Sequence, residues 1–344
     1  MSDPILALRG VAQVYTARKA SGWGWTKTAA ARAVNLEVHE GQTLAIVGES
    51  GSGKSTLAKL LLMLDRPTAG EVSYRGVPLT ELDAGAHSRY RREIQAVFQD
   101  PASSLNPRMS VEQSLGHVAR RHQLASAREL RSFIARQLDA VGLVPAADYL
   151  GRFPHQLSGG QQQRIAIARA MMLEPRLIIA DEPLSSLDVS IQAQVLELML
   201  ELRRRTGVGF VVISHDLGAM QAIAERTAVM YRGRIVEIGA RVYERPAHPY
   251  TRLLLDARLA TDPRKGRVRA APPVRAAAPR SSAQGGGCSF GNRCPYAIAR
   301  CAEVEPLLRA LGDGVTQAAC HRAEELADTL AARSVETPVI ALDA

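Results

Sequence analysis

The run Gly48-Glu49-Ser50-Gly51-Ser52-Gly53-Lys54-Ser55-Thr56 constrains this chain more than any other stretch. It follows one continuous apolar run, TLAIVG over 43–48, and leads into another, LAKLLLML. The first reads as a strand covered on both faces and the second as a helix. A G-x-x-x-x-G-K-[ST] run at such a strand-to-helix turn wraps phosphates: glycines let backbone N–H groups approach, and the helix N-terminus adds partial positive charge. Lys54 is expected to reach the β- and γ-phosphates and the Ser55 hydroxyl to ligate Mg²⁺. Gly48, Ser50, Gly51, Gly53 and Thr56 complete the expected cradle. A chance Gly-rich turn would lack the flanking strand and helix. The chain is therefore expected to bind a nucleoside triphosphate.

The rest of the sequence extends from that turn. Strands are expected over 5–15 and 33–39, with a polar stretch holding Trp23 and Trp25 between them, and again over 71–76 and 95–99. From 110 to about 150 the apolar spacing is helical, which reads as a helical insertion. Alternation then resumes: helix 160–173, strand 176–181, helix 190–205, strand 210–215, helix 217–224, and two closing strands that end near Gly239. This order predicts an α/β fold whose sheet is mostly parallel, with helices on both faces.

At 344 residues the chain exceeds one typical domain of about 100–200. A nucleotide-binding domain is expected over 1–258, with its helical part at about 100–160. An Ala/Pro/Arg-rich linker would follow over 259–287, and a cysteine-bearing module over 288–344. No apolar stretch approaches the 18 residues or so that cross a membrane, and MSDPILALRG lacks the features of a secretory signal. The expectation is a cytoplasmic chain that meets a membrane through partners. The net charge of +9 invites a nucleic-acid reading, but much of the excess lies between Arg258 and Arg293. A solvated tail, or one near anionic lipid head groups, accounts for it, so no nucleic-acid partner is expected.

Leu157-Ser158-Gly159-Gly160-Gln161, continuing QQRIAIARA, resembles the signature motif of ABC-type ATPases. Taken alone, it could be a Ser N-cap before an amphipathic helix. The resemblance implies the ABC form of the P-loop NTPase fold, with an antiparallel β subdomain and a helical subdomain. It also implies head-to-tail pairing, in which Ser158, Gly159, Gly160 and Gln161 cap ATP held by the other subunit. Leu177-Ile178-Ile179-Ala180-Asp181-Glu182-Pro183 matches the Walker B pattern, a buried strand ending in two acids. Asp181 would hold Mg²⁺ and Glu182 would act as general base toward water. His215 in VVISHD matches the switch histidine, which contacts the γ-phosphate. Gln99 in VFQDP resembles the Q-loop glutamine, which senses the γ-phosphate and metal, and Ser186-Leu187-Asp188 the D-loop. Tyr15 is the candidate to stack on adenine, with Trp23 and Trp25 as alternatives.

Three further stretches look like the ATPase subunits of dipeptide, oligopeptide and nickel importers: Phe98-Gln99-Asp100-Pro101 continuing ASSLNPRMSV, Arg245-Pro246-Ala247-His248-Pro249-Tyr250-Thr251, and the tail GCSFGNRCPYAIARC with ACH. That resemblance implies two transmembrane permease subunits, a second ABC ATPase subunit and an extracytoplasmic solute-binding protein. The loop after Gln99 and the helical stretch 110–150 would dock on the permease. A soluble ABC ATPase acting on nucleic acid or the ribosome, or an exporter subunit, is the alternative. Cys288, Cys294, Cys301 and Cys320 are the chain's four cysteines. A cytosolic setting argues against structural disulfides, and the spacing lacks a C-x2-C pair. Four thiolates can hold zinc or a [4Fe–4S] cluster; the resemblance favours the cluster, with His321 a weaker possible ligand.

Overall fold

The computed structural model describes residues 3–18, 23–100, 104–257 and 286–331. In chain order its strands begin with β1 (Leu6–Arg18), β2 (Trp25–Val38), β3 (Thr43–Val47), β4 (Ala69–Tyr74), β5 (Val77–Pro78) and β6 (Ile94–Val97). They continue with β7 (Leu177–Asp181), β8 (Gly209–Ser214), β9 (Arg226–Tyr231), β10 (Arg234–Gly239), β11 (Arg309–Ala310) and β12 (Gln317–Ala318). The helices are α1 (Lys54–Leu61), α2 (Ala84–Glu93), α3 (Val111–Arg121), α4 (Leu130–Asp139), α5 (Ala147–Leu150) and α6 (Gly159–Met171). After them come α7 (Val189–Thr206), α8 (Leu217–Gln221), α9 (Pro249–Asp256), α10 (Ala299–Glu303) and α11 (Ala323–Ala331).

An antiparallel sheet runs in the order β2-β1-β4-β5, and a larger one in the order β11-β12-β10-β9-β3-β8-β7-β6. From β9 through β6 the larger sheet is parallel. Its central strands β3, β7 and β8 are mostly apolar because both faces are covered. Leu44, Ile46, Leu177, Ile179, Val211 and Ile213 face one core, which they share with α1 and the antiparallel sheet. Ala45, Val47, Ile178, Ala180, Phe210 and Val212 face the other, which they share with α3, α4, α6 and α7. The period-two alternation of a strand thus sorts neighbouring residues into opposite cores.

As far as β10 the expected strands and helices occur in the expected order, and the main differences there are these. β2 begins at Trp25 rather than near 33, pairing with β1 from Arg18 opposite Trp25 to Leu6 opposite Val38. Its first residues, 25–29, are all exposed, so no buried face marks them as a strand. The helix α2 has no counterpart among the expected elements; Tyr90 is its buried residue, so it carries little apolar periodicity. The helix expected over 217–224 stops at Gln221. The expected linker, 259–287, lies almost wholly outside the described residues.

Beyond α9 the chain returns to the main sheet, where β12 pairs with β10, Glu237 opposite Ala318 and Ile238 opposite Gln317. Glu237 is fully buried. Its carboxylate accepts the Ala247 N–H at 2.7 Å, the His248 N–H at 2.9 Å and the Thr251 hydroxyl. One acid therefore ties the start of α9 to the sheet. Removing it strands three buried donors, so Glu237→Ala is expected to cost about 2–4 kcal/mol, read as a lower Tm. Burial pushes the Glu237 carboxyl up to about 7 against the pull of those donors. A raised acid pKa means that folding takes up a proton, so this contribution is full below about 4.5 and is lost as pH rises through about 7. The stability of the wild type minus that of Glu237→Gln should fall across that window in denaturant titrations, whereas a flat difference would contradict the assignment.

Candidate functional site

The phosphate loop leaves β3 at Val47 and enters α1 at Lys54. Parallel register sets Val47 beside Ser214 of β8, and Ile213 beside Asp181 of β7. Three neighbouring strands therefore deliver the loop, the acids and His215 at one level. Lys54 is buried, and its ammonium donates to the Gly48 carbonyl at 2.8 Å and the Glu49 carbonyl at 3.0 Å. Burial lowers the Lys54 pKa, while Glu182, Asp181 and Glu49 oppose that shift. The ammonium is thus largely desolvated and faces the loop.

Ser55 Oγ donates to Asp181 Oδ1 at 3.2 Å, which brings two expected Mg²⁺ ligands together across the turn. Burial raises the Asp181 pKa and the Ser55 hydrogen bond lowers it. Gln99, the third expected ligand, is exposed two residues past β6, the strand that flanks β7. Glu182 adopts a left-handed backbone, with φ of 46°. A bulky residue rarely stays there without support. Its N–H donates to the Ile213 carbonyl at 2.9 Å, and its own carbonyl accepts the Ser185 hydroxyl at 3.2 Å. So held, Glu182 Oε2 lies 3.2 Å from His215 Nδ1. Leu184, Ser185, Gln192, Ser214 and Asp216 line a small cavity with this pair.

The signature residues sit apart from this cluster. Ser158 caps α6: its Oγ accepts the Gln161 N–H at 3.3 Å, and the Ser158 N–H donates to Gln161 Oε1 at 3.0 Å. The N-cap reading and the signature reading thus describe the same residue. A Cβ on Gly160 would stand 2.6 Å from Ile191 Cγ2 of α7, and one on Gly159 would stand 3.2 Å from Leu187. Ser158 and Gly159 are themselves exposed. Tyr15 donates to Asp65 Oδ2 at 2.8 Å and also hydrogen bonds Thr56 of the loop, which sets its ring beside the turn. Trp23 and Trp25 are far more exposed, at 88% and 66%.

All four cysteines line one cavity, together with His248, Phe290 and His321. None is in a disulfide. Burial pushes the Cys288 thiol up to about 12 and Cys294 up to about 11, and raises Cys320 as well. Among the described residues, no group of three or more His, Cys, Asp or Glu is disposed to hold a metal ion. The four thiols expected from the sequence to hold a metal thus line one cavity, without forming a ready-made metal site. Arg322 also lines this cavity, and the His321 ring meets the Val304 carbonyl at 2.9 Å.

One loop residue carries a signal that motif reading passes over. Ser52 Oγ is buried and has no hydrogen-bond partner in the loop, which leaves a hydroxyl free for a phosphate oxygen. The motif treats that position as unspecified, so only its burial reveals it.

Residues 31–185 match the family model described as ABC transporter, and residues 236–301 that of the oligopeptide/dipeptide transporter C-terminal region. The chain is 40% identical over 327 residues to the di/tripeptide transport ATP-binding protein DppF of Pseudomonas aeruginosa, covering 94% of this chain and 99% of that one. It is 41% identical over 292 residues to the oligopeptide transport ATP-binding protein OppF of Salmonella typhimurium, covering 83% and 87%. Among solved structures it resembles cbiO1 of Clostridium perfringens, part of the ABC transporter complex cbiONQ, with a TM-score of 0.60 at 26% identity over 70% of this chain and 90% of that one. It also resembles the ATP-binding cassette MJ0796 bound to ADP and Pi, with a TM-score of 0.58 at 32% identity over 67% and 96%.

The loop geometry separates two glycines by experiment. A Cβ on Gly53 would fall 2.0 Å from the Ala30 carbonyl oxygen, whereas one on Gly51 meets nothing within 4 Å. Both have positive φ, so Gly51→Ala carries only the left-handed strain of about 1–2 kcal/mol. Gly53→Ala must move the loop as well, and is expected to weaken ATP binding by at least about tenfold more than Gly51→Ala in equilibrium titrations.

Proposed function

The chain belongs to the ABC transporter ATP-binding proteins, in their dipeptide and oligopeptide branch, and is an ATPase; from that premise we propose that it powers peptide uptake through a membrane complex. The observation that carries the reading is the Glu182–His215 pair set beside the Ser55–Asp181 pair at the ends of adjacent parallel strands. The match over 236–301 supports this branch over an exporter or a soluble ATPase acting on nucleic acid or ribosomes.

In this reading Lys54 exchanges the carbonyls of Gly48 and Glu49 for the β- and γ-phosphate oxygens, a stronger attraction in a half-dry site. Gly48, Ser50, Gly51, Gly53 and Thr56 form the cradle, with Tyr15 beside adenine. Ser55 and Asp181, with Gln99, would hold Mg²⁺, which supplies charge neutralisation for phosphoryl transfer. Glu182 takes a proton from the attacking water, and His215 braces the Glu182 carboxylate and reaches the γ-phosphate. Ser158, Gly159, Gly160 and Gln161 would cap ATP on a second ATPase subunit, and the exposure of Ser158 and Gly159 supports that role. Closure of the pair would drive two permease subunits fed by a solute-binding protein, with this chain peripheral to the cytoplasmic face of the membrane. No described helix is long and apolar enough to cross a membrane. The nucleotide-binding domain would be 1–258 and the cysteine-bearing module 288–344.

All four cysteines line one cavity, and the resemblance of the C-terminal module favours a cluster over a single zinc ion. We assign Cys288, Cys294, Cys301 and Cys320 to a [4Fe–4S] cluster on that ground. Anaerobically purified protein should contain about four irons and four acid-labile sulfides per chain. Zinc alone, or no metal in folded protein, would overturn the assignment. For hydrolysis, Glu182→Gln should bind ATP near wild-type affinity while turnover falls by about 10²–10⁴. Turnover near wild type in a phosphate-release assay would remove Glu182 from its role.

A further inference from the structure

Glu49, the second residue of the phosphate loop, is held by all of its polar groups at once. Its carboxylate accepts two parallel hydrogen bonds from Arg293, Nη1 to Oε2 and Nη2 to Oε1, each 2.9 Å. Its N–H donates to the Tyr250 hydroxyl at 2.9 Å, and its carbonyl accepts from Lys54 Nζ at 3.0 Å. Arg293 lies between Cys288 and Cys294 in the C-terminal module, and Tyr250 lies on α9. The module thus reaches back across the fold to the turn that is to hold phosphate.

The contact is built. The guanidinium carbon of Arg293 lies 5.7 Å from the ring centres of both Tyr231 and Phe290. Tyr231 ends β9, the neighbour of β3, so the guanidinium rests on the same sheet that launches the loop. Tyr231, Tyr250 and Phe290 pack against one another with ring centres 4.6–5.5 Å apart, and all three are buried. A fork-shaped cation on an aromatic bed has little freedom to leave its carboxylate.

We propose that Arg293 is a positioning residue for the nucleotide site, acting through Glu49 in two ways. It neutralises a carboxylate that would otherwise repel phosphate and compete for Lys54, one of whose neighbouring charges is Glu49. Together with Tyr250 it also fixes the main chain of Glu49, and so the carbonyl on which Lys54 rests before nucleotide arrives. The C-terminal module then contributes to ATP affinity without touching ATP. This rests on the loop being the ATP site.

The test is a double-mutant cycle on the full chain, read as the Kd of a non-hydrolysable ATP analogue with Mg²⁺. Arg293→Ala is expected to weaken binding about tenfold at low salt, and less as salt rises. In steady state KM for ATP rises while kcat at saturation is held. Made in Glu49→Gln protein, the same Arg293→Ala change should cost no more than about twofold, because no carboxylate remains to neutralise. An unchanged Kd in Arg293→Ala, or an undiminished loss in the Glu49→Gln background, overturns the proposal; the second outcome would mean that Arg293 serves only the module's own folding. If Arg293→Ala does not fold, the uncharged, hydrogen-bonding Arg293→Gln carries the same expectations and the same reversals. Failure of the wild type to bind the analogue would instead remove the ATP reading itself.

Discussion

β3, β7 and β8 run parallel, side by side, with both faces buried, and this arrangement governs the site. A strand covered on both faces uses every side chain in packing, so its carboxyl end is where chemistry can emerge. Register then decides what emerges together. Val47 stands beside Ser214 and Asp181 beside Ile213, so the loop, the two acids and His215 come out level. A slip of one residue would send Leu44 and Ile46 into the core that Ala45 and Val47 now fill. The volumes do not match, and that mismatch holds the register.

At those strand ends the charges are partly dry and support one another. Burial lowers the Lys54 pKa and raises that of Asp181, so each is costly alone and tolerable beside the other. Glu182 pays for its direction with a left-handed backbone, which the Ile213 carbonyl and Ser185 hold in place. So held, its carboxylate lies 3.2 Å from His215 Nδ1 while its charge still bears on the Lys54 ammonium.

The C-terminal part of the chain is joined to the same core. Phe290 is buried in the cluster that contains Val236, Val242 and Tyr250. His248 is fully buried, and burial pushes its pKa down to about 3. It is therefore neutral, so Nδ1 can accept the Tyr250 N–H at 3.0 Å. Glu237 anchors the same turn from the sheet side. The stretch from Ala247 to Thr251 thus acts as a rivet: polar groups hold it from one side, and its tyrosine supports the phosphate loop from the other.

Much of this was legible in the sequence, for local reasons. A glycine-rich turn between a buried strand and a helix follows from spacing alone, as do a strand ending in two acids and a Ser-Gly-Gly helix start. Continuous apolar runs likewise mark β3, β7 and β8. The first half of β2 and helix α2 escaped because neither has a buried face to impose periodicity on its residues. The four cysteines were recognisable as a group, but whether they converge depends on backbone paths across some thirty residues, which spacing does not determine. Nothing local links Glu49 to Arg293, separated by 244 residues, or marks Ser52 as a hydroxyl without a partner. The sequence by itself determined which short segments could bind phosphate and supply acids, because those properties reside in neighbouring residues. Only the tertiary structure decided which of them meet, because parallel register and shared burial act between segments far apart in the chain.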